Sequence, residues 1–303
     1  MAAKTKGKVG IIGLGIMGGA FARNLTKAGW RVIGYDIDAG RKKALAKAGV
    51  EITPDVAALA AKVPVIITSL PNPKALDATA AALAKAKLAR KIIVEASTFT
   101  IEDKQRAERV LAKAGHVTLD CPVSGTGAQA AVGDLVVYAS GDSAAIKKLK
   151  PMFAGFSRGV FDVGAFGNGS KMKYVANLLV AIHNVASAEA MVLGMKAGLD
   201  PQKIFDLVTS GVGNSRIFEL RAPMMVKDRY DDATMKINVW QKDMNVIGGY
   251  AKKLKVPTPL FSATVPVYEQ AIRMGHGLHD TAAVCAVLEK RAKLKRGRAR
   301  AAR

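Results

Sequence analysis

Cysteine is almost missing from this 303-residue chain: there are two, Cys121 and Cys285, far apart and without metal-ligand spacing. That scarcity excludes a disulfide framework and a cysteine-held zinc, and it fits a reducing, cytoplasmic setting. Cys121 has no histidine at a recognisable partner spacing and reads as a small buried residue rather than a nucleophile. Histidine is scarce too. His276 and His279 lie three apart in a glycine-containing loop with no obvious third ligand, and His116 and His183 stand apart from them, so no metal is expected. Acidic residues number 24 against 46 basic ones, a formal charge of +22; such a field favours anionic cofactors and substrates.

The surplus is uneven. Residues 290–303 hold eight Lys/Arg and no acid and read as a disordered basic tail. No aromatic residue interleaves those charges for base stacking, so a solubilising role is favoured over nucleic-acid binding. Two segments resemble membrane signals. Lys4, Lys6 and Lys8 precede an apolar run, but its regularly spaced glycines suit a strand, turn and helix better than a secretory leader. Tyr174 to Met195 is long enough to span a bilayer, yet it carries Asn177, His183, Asn184 and Glu189; a buried inter-domain helix is expected, and no membrane.

Short apolar runs (KVGIIG, RVIGYD, VPVIITSL, KIIVEAS, HVTLDCPV) alternate with amphipathic stretches through the first half, the pattern of βαβ units and a parallel sheet. DLVVYASG and RGVFDVG are expected to complete that sheet. After Gly169 the alternation stops, and helices are expected at about 170–197, 201–210, 214–226, 238–253, 259–274 and 280–292. The predicted organisation is an α/β domain over 1–165 and an all-helical domain over 166–289, joined by the long helix, with the tail at 290–303.

Gly13-Leu14-Gly15-Ile16-Met17-Gly18 is a G-x-G-x-x-G placed directly after a strand and opening a helix. Its glycines permit the tight turn, the approach of pyrophosphate to backbone, and close helix–strand packing, and the helix N-terminus faces the phosphates. Asp36 closes the next strand. These features make the first domain a Rossmann dinucleotide-binding fold. The Asp36 carboxylate can accept from a ribose 2′-hydroxyl and would repel a 2′-phosphate, which favours NAD over NADP. Arg41 reads either as an aid to a phosphate or as a solvated helix residue. Ligands bind beyond the carboxyl ends of the strands, so Leu70 and Pro71 on one loop and Thr98 on the next are further cofactor candidates. Ser97 is a second possibility on that loop.

Asp120-Cys121-Pro122-Val123-Ser124-Gly125-Thr126-Gly127 turns sharply after a strand; it is either an ordinary glycine turn or a cradle of N–H groups and the Ser124 hydroxyl for a carboxylate. In the long helix Lys173 and Asn177 stand four apart and share a face, continued by Val180 and Asn184. Lys171 points elsewhere and has Val175, not a polar partner, four residues on. A lysine poised beside an amide suits general acid–base chemistry. His183 lies off that stripe, which favours packing or a subunit contact.

GLGIMG with the helix ending NLTKAG, then DCPVSG, GNGSKMKYVAN, Lys242-Asp243 in QKDMNVI, and GHGLHDTAAV resemble the β-hydroxyacid dehydrogenase family, that of the 3-hydroxyisobutyrate dehydrogenases, over nearly the whole chain except the tail. The resemblance implies an NAD(P)-dependent oxidoreductase interconverting a small β-hydroxy acid and its semialdehyde or keto form. It makes Lys173 the catalytic lysine and Asn177 its partner in catalysis and substrate binding. Ser124 and Gly125 become the substrate-carboxylate loop, Thr98 a cofactor contact, and Lys242 a contact to both nicotinamide and substrate. It also implies a homodimer or homotetramer. Thr126 stands where many members have a second glycine, so it too is a candidate substrate contact, and Ala176 replaces a common asparagine. The alternatives are an imine or other carbonyl reductase, or a nucleic-acid-associated dinucleotide-binding protein. A 6-phosphogluconate-type reaction would need a phosphate pocket and a larger helical domain.

Overall fold

The computed structural model describes residues 5–296. The chain divides into two compact units, the first ending at Tyr174 and the second beginning at Val175. The first unit holds β1 (Lys8–Ile12), α1 (Ile16–Lys27), β2 (Arg31–Tyr35), α2 (Ala39–Ala46), β3 (Glu51–Ile52), α3 (Val56–Lys62), β4 (Val65–Thr68), α4 (Pro73–Lys85), β5 (Ile92–Glu95), α5 (Ile101–Lys113) and β6 (Val117–Asp120). Then come β7 (Val123–Ser124), α6 (Gly127–Ala131), β8 (Val136–Ala139), α7 (Ser143–Phe153), β9 (Gly159–Asp162) and the start of α8 (Asn168–Lys196).

Strands β1 to β6 form one parallel sheet in the order β3-β2-β1-β4-β5-β6. Successive side chains point to opposite faces. Val9, Ile11, Val32, Ile67 and Val94 therefore enter one core cluster, and Ile12, Ile33, Ile66 and Ile93 the other. Both faces are covered, which is why these strands read as continuous apolar runs. Side-chain caps start the helices where the sequence changes period. Asn72 accepts from Ala75 N–H with Pro73 at the first helical position, Thr100 accepts from Asp103 N–H, and Asp142 accepts from Ala145 N–H.

One expectation about the sheet is corrected. HVTLDCPV is not a single strand, and the two segments after it do not complete the parallel sheet. The chain breaks at Cys121-Pro122, and β7, β8 and β9 form a separate three-stranded sheet. Proline has no N–H to continue a ladder, so after Cys121 N–H donates to Glu95 C=O the strand leaves. A bridge between Asp120 and Ser140 is where the two sheets touch.

The second unit is helical: the rest of α8, then α9 (Pro201–Ser210), α10 (Arg216–Lys227), α11 (Ile237–Lys253), α12 (Pro259–Arg273), two short 3-10 turns and α13 (Val284–Arg291). Asp200 caps α9 through Lys203 N–H, with Pro201 at the first helical position. Lys290 and Arg291 close α13; Arg291 donates to Gln270 Oε1, and Arg296 donates to Glu289 and to Val226 C=O. Residues 297–303 lie outside the described residues. The two compact units part inside α8, whose first turn is hydrogen-bonded to Asp120 of the first unit. Helix α8 is long and apolar enough to cross a membrane by composition, and 39% of its most apolar window is buried.

Candidate active site

The parallel strands end in register. Tyr35, Ile12, Thr68, Glu95 and Asp120 lie side by side at the carboxyl edge. The residues that follow them are the expected site residues of the first unit: Gly13 to Gly18 after β1, Asp36 after β2, Leu70 and Pro71 after β4, and Thr98 after β5. Ser124, Gly125 and Thr126 come just after β6, across the Cys121-Pro122 break.

The phosphate loop fits a dinucleotide. Gly13 has φ +90°, and a Cβ there would lie 2.2 Å from Ser69 C=O; one on Gly18 would lie 1.9 Å from Gly13 C=O. Loop and helix therefore close on each other only with glycine at both places. Helix α1 has no side-chain cap and no acid in its first turn, which leaves its N-terminal N–H groups suited to an anion. Leu14 donates its N–H to Asp36 Oδ2 at 2.7 Å, and Asp38 N–H donates to Asp36 Oδ1 at 2.8 Å. The buried Asp36 carboxylate is thus held with one backbone donor on each oxygen. Arg41 Nη1 stands 3.5 Å from Oδ2. Leu70 N–H donates to Ser97 Oγ, and Ser97 N–H to Glu95 Oε1, so Ser97 ties the loops after β4 and β5 together.

Thr126 turns towards its own helix. It caps α6 in a reciprocal box: its hydroxyl accepts from Gln129 N–H, and its N–H donates to Gln129 Oε1. Its amide is thereby committed to Gln129. Cys121 is buried in an apolar cluster and burial pushes its thiol up. Cys285 is also buried, its thiol pushed up to about 12 by burial and then by Glu289. Neither is a nucleophile.

Lys173 is 8% exposed, one turn beyond Ser170, whose N–H and hydroxyl both donate to Asp120. Tyr174 O–H donates to Phe99 C=O, and burial pushes that phenol up. The polar stripe of α8 is buried at Lys173, Asn177 and Asn184. Asn184 is structural, bonding Tyr268 Oη and Thr281 C=O. In the second unit Asn177 Nδ2 donates to Asp243 Oδ2 at 3.1 Å, and Lys242 Nζ lies 3.4 Å from Asp243 Oδ1. Asp243 thus joins two expected residues, and sequence reasoning gave it no role. The signal was available: Asp243 falls among Ile237, Trp240, Met244 and Ile247 on the buried face of α11, where a carboxylate has to have a purpose. His276 and His279 pair through their Nδ1 atoms, and His279 Nε2 faces Asp231. No cluster of three metal-ligating side chains occurs among the described residues.

Residues 8–164 match the family model of the NAD-binding domain of 6-phosphogluconate dehydrogenase. Residues 167–288 match that of the NAD-binding region of NADP-dependent 3-hydroxyisobutyrate dehydrogenase. The L-threonate dehydrogenase of Cupriavidus necator is 33% identical over 280 residues, covering 91% of this chain and 94% of that one. The chain belongs to the β-hydroxyacid dehydrogenase family. Among other β-hydroxyacid dehydrogenases, the 2-hydroxy-3-oxopropionate reductase of Escherichia coli is 29% identical over 93% of this chain and 97% of its own length. A crystal structure of 3-hydroxyisobutyrate dehydrogenase from Salmonella typhimurium superposes with a TM-score of 0.83 at 29% identity, covering 93% of this chain and all of that one. As a member, the protein is an NAD(P)-dependent oxidoreductase of small hydroxy acids.

Proposed function

We propose that the protein prefers NAD and interconverts a three- or four-carbon β-hydroxy acid with its semialdehyde or keto form, Lys173 moving the proton. The observation that carries this reading is the buried Lys173 in the first turns of α8, with Asn177 one turn on and itself held by Asp243. The nicotinamide, when bound, supplies a hydride acceptor for the hydroxyl-bearing carbon. In that direction neutral Lys173 takes the hydroxyl proton as the carbonyl forms; in reduction its ammonium returns the proton to the developing alkoxide and offsets its charge. Asn177, fixed through Asp243, orients the lysine or the reacting oxygen. Ser124 and the Gly125 N–H receive the substrate carboxylate, and Lys242 adds positive charge for the substrate and nicotinamide. On the cofactor side the loop 13–18, Leu70, Pro71 and Thr98 line the dinucleotide, and Asp36 takes the ribose hydroxyls.

Several apolar residues of α8 stay exposed at helical spacing, among them Met172, Val175, Leu179 and Leu193. They support a homo-oligomer, dimer or tetramer, which light scattering of the purified protein would count. Two buried free thiols suit a cytoplasmic setting. The function is tested by initial rates, followed through NADH absorbance, on a panel of small β-hydroxy acids and semialdehydes with each dinucleotide. Turnover on a panel member with NAD ahead of NADP is expected. No turnover on any, despite NADH binding, would refute the substrate class.

A further inference from the structure

The most heavily buried ionic group of the first unit has no part in the chemistry above. Lys104, on α5, is wholly buried, and its Nζ lies 2.7 Å from both Glu95 Oε2 and Asp120 Oδ1. Burial alone would push the ammonium down, but the two carboxylates outweigh it and hold Lys104 above the ordinary lysine range. Such a group is poorly explained by stability, since apolar side chains of similar size serve a core as well or better than desolvated charges. What it touches offers a better explanation.

Two arms leave the centre. Through Asp120, the carboxylate accepts the N–H of Ser170 at 2.7 Å, its hydroxyl at 2.9 Å, and Ser140 Oγ, which in turn accepts from Gly169 N–H. Gly169 is where α8 presses on the sheets: a Cβ there would lie 2.4 Å from Tyr138 C=O and 2.6 Å from Asp120 C=O. This arm fixes the first turn of α8, and Lys173 follows one turn later. Through Glu95, the free oxygen accepts Ser97 N–H, and Ser97 Oγ accepts Leu70 N–H. This second arm sets the loops that carry Leu70, Pro71 and Thr98.

We propose that Lys104, Glu95 and Asp120 form a positioning triad that sets the Lys173 helix through Asp120 and the cofactor loops through Glu95. Lys104 is its keystone. Without that cation two buried carboxylates 2.7 Å from the same point cannot both stay ionised, and one arm loses its full acceptor. The proposal rests on Lys173 as the proton-transferring group and adds the device that aims it.

The arms separate in experiment because each has a serine that can be cut without changing any charge. Ser170→Ala is expected to lower kcat by about tenfold, the scale of a small misplacement of the proton-transferring group. It should change the NADH dissociation constant, read by fluorescence, much less. Ser97→Ala should reverse that order, weakening NADH by about fivefold, the worth of one hydrogen bond, with the smaller effect on kcat. Lys104→Met should do both. A readout free of turnover is the acylation rate of Lys173, followed by peptide mass spectrometry: Ser170→Ala should change it several-fold, and Ser97→Ala should change it less. A scaffold with no positioning role would lower the melting temperature and leave no such split. Equal effects of the two serine variants on kcat, on NADH affinity and on labelling would overturn the triad. So would a folded Lys104→Met with wild-type values. If Lys104→Met does not fold, the serine pair decides. If the wild type turns over no hydroxy acid, the function fails, while labelling and NADH binding still judge the triad.

Discussion

Replacing Asp36 with asparagine is expected to move the enzyme from NAD towards NADP by a factor that can be worked out. Each carboxylate oxygen of Asp36 takes one backbone N–H, from Leu14 and from Asp38. An asparagine must turn its NH2 against one of those donors, so the loop loosens by about 1–3 kcal/mol. That loss falls on both cofactors alike and cancels in their ratio. What remains is charge. A ribose hydroxyl loses a charged acceptor for a neutral one, about 1 kcal/mol. A 2′-phosphate of charge about −2 at about 5 Å escapes a repulsion of about 1.7–3.3 kcal/mol for an effective dielectric of 80 down to 40. Arg41, no longer drawn to a carboxylate 3.5 Å away, is released to help. After discounting for salt, the NADPH-to-NADH affinity ratio should rise by about 2–4 kcal/mol, roughly 30- to 1,000-fold. Fluorescence titration of wild type and Asp36→Asn with each reduced cofactor measures it. An unchanged ratio, with both affinities merely lower, would refute the argument and leave Asp36 as a loop brace only.

Three further outcomes are expected. Lys173→Ala should lower kcat by roughly 10² to 10⁴ with NADH affinity little changed, and retained turnover would count against the mechanism. Asp243→Ala removes the Asn177 hydrogen bond and one ion-pair partner of Lys242; kcat/KM for the hydroxy acid should drop by about tenfold or more, and steady-state rates equal to wild type would remove Asp243 from the site. His116 is buried, accepts Lys91 N–H on Nδ1, and is held below its ordinary 6.5, chiefly by burial. Its folded state therefore resists protonation: its share of stability is full above about pH 6.5 and is lost as pH falls towards the folded value. Urea midpoints at descending pH should fall more steeply for wild type than for His116→Asn, and parallel curves would contradict this.

The legible parts of this protein were those governed by local pattern. Short continuous apolar runs located most strands and period-3.6 hydrophobicity most helices, and Pro201 after Asp200 marks the start of α9 to the residue. The glycine loop and Asp36 each carry a local signature, and adjacent strand ends bring them together. What escaped reading depends on distant partners. The two-residue β3 leaves no period to detect. Nothing local to HVTLDCPV says that the proline sends its last residues into another sheet. Lys104 lies in the stripe with Ala107 and Leu111 that α5 buries, but nothing local to it says what it pairs with. Its two carboxylates sit on β5 and β6, and only the parallel register places them on either side of one ammonium. Thr126 was legible as a substitution but not as a cap, because its partner Gln129 mattered more than the glycine it replaces.

The two cysteines have a practical consequence. Cys121 and Cys285 are the only thiols in the chain, both are buried, and burial keeps both protonated well past neutral pH. Maleimides and similar reagents, which attack exposed thiolates, should therefore pass the native protein by. A cysteine placed at a fully exposed position such as Val212 would be the single reactive handle on an otherwise unaltered enzyme, so a fluorophore or spin label can be attached without first deleting either native residue.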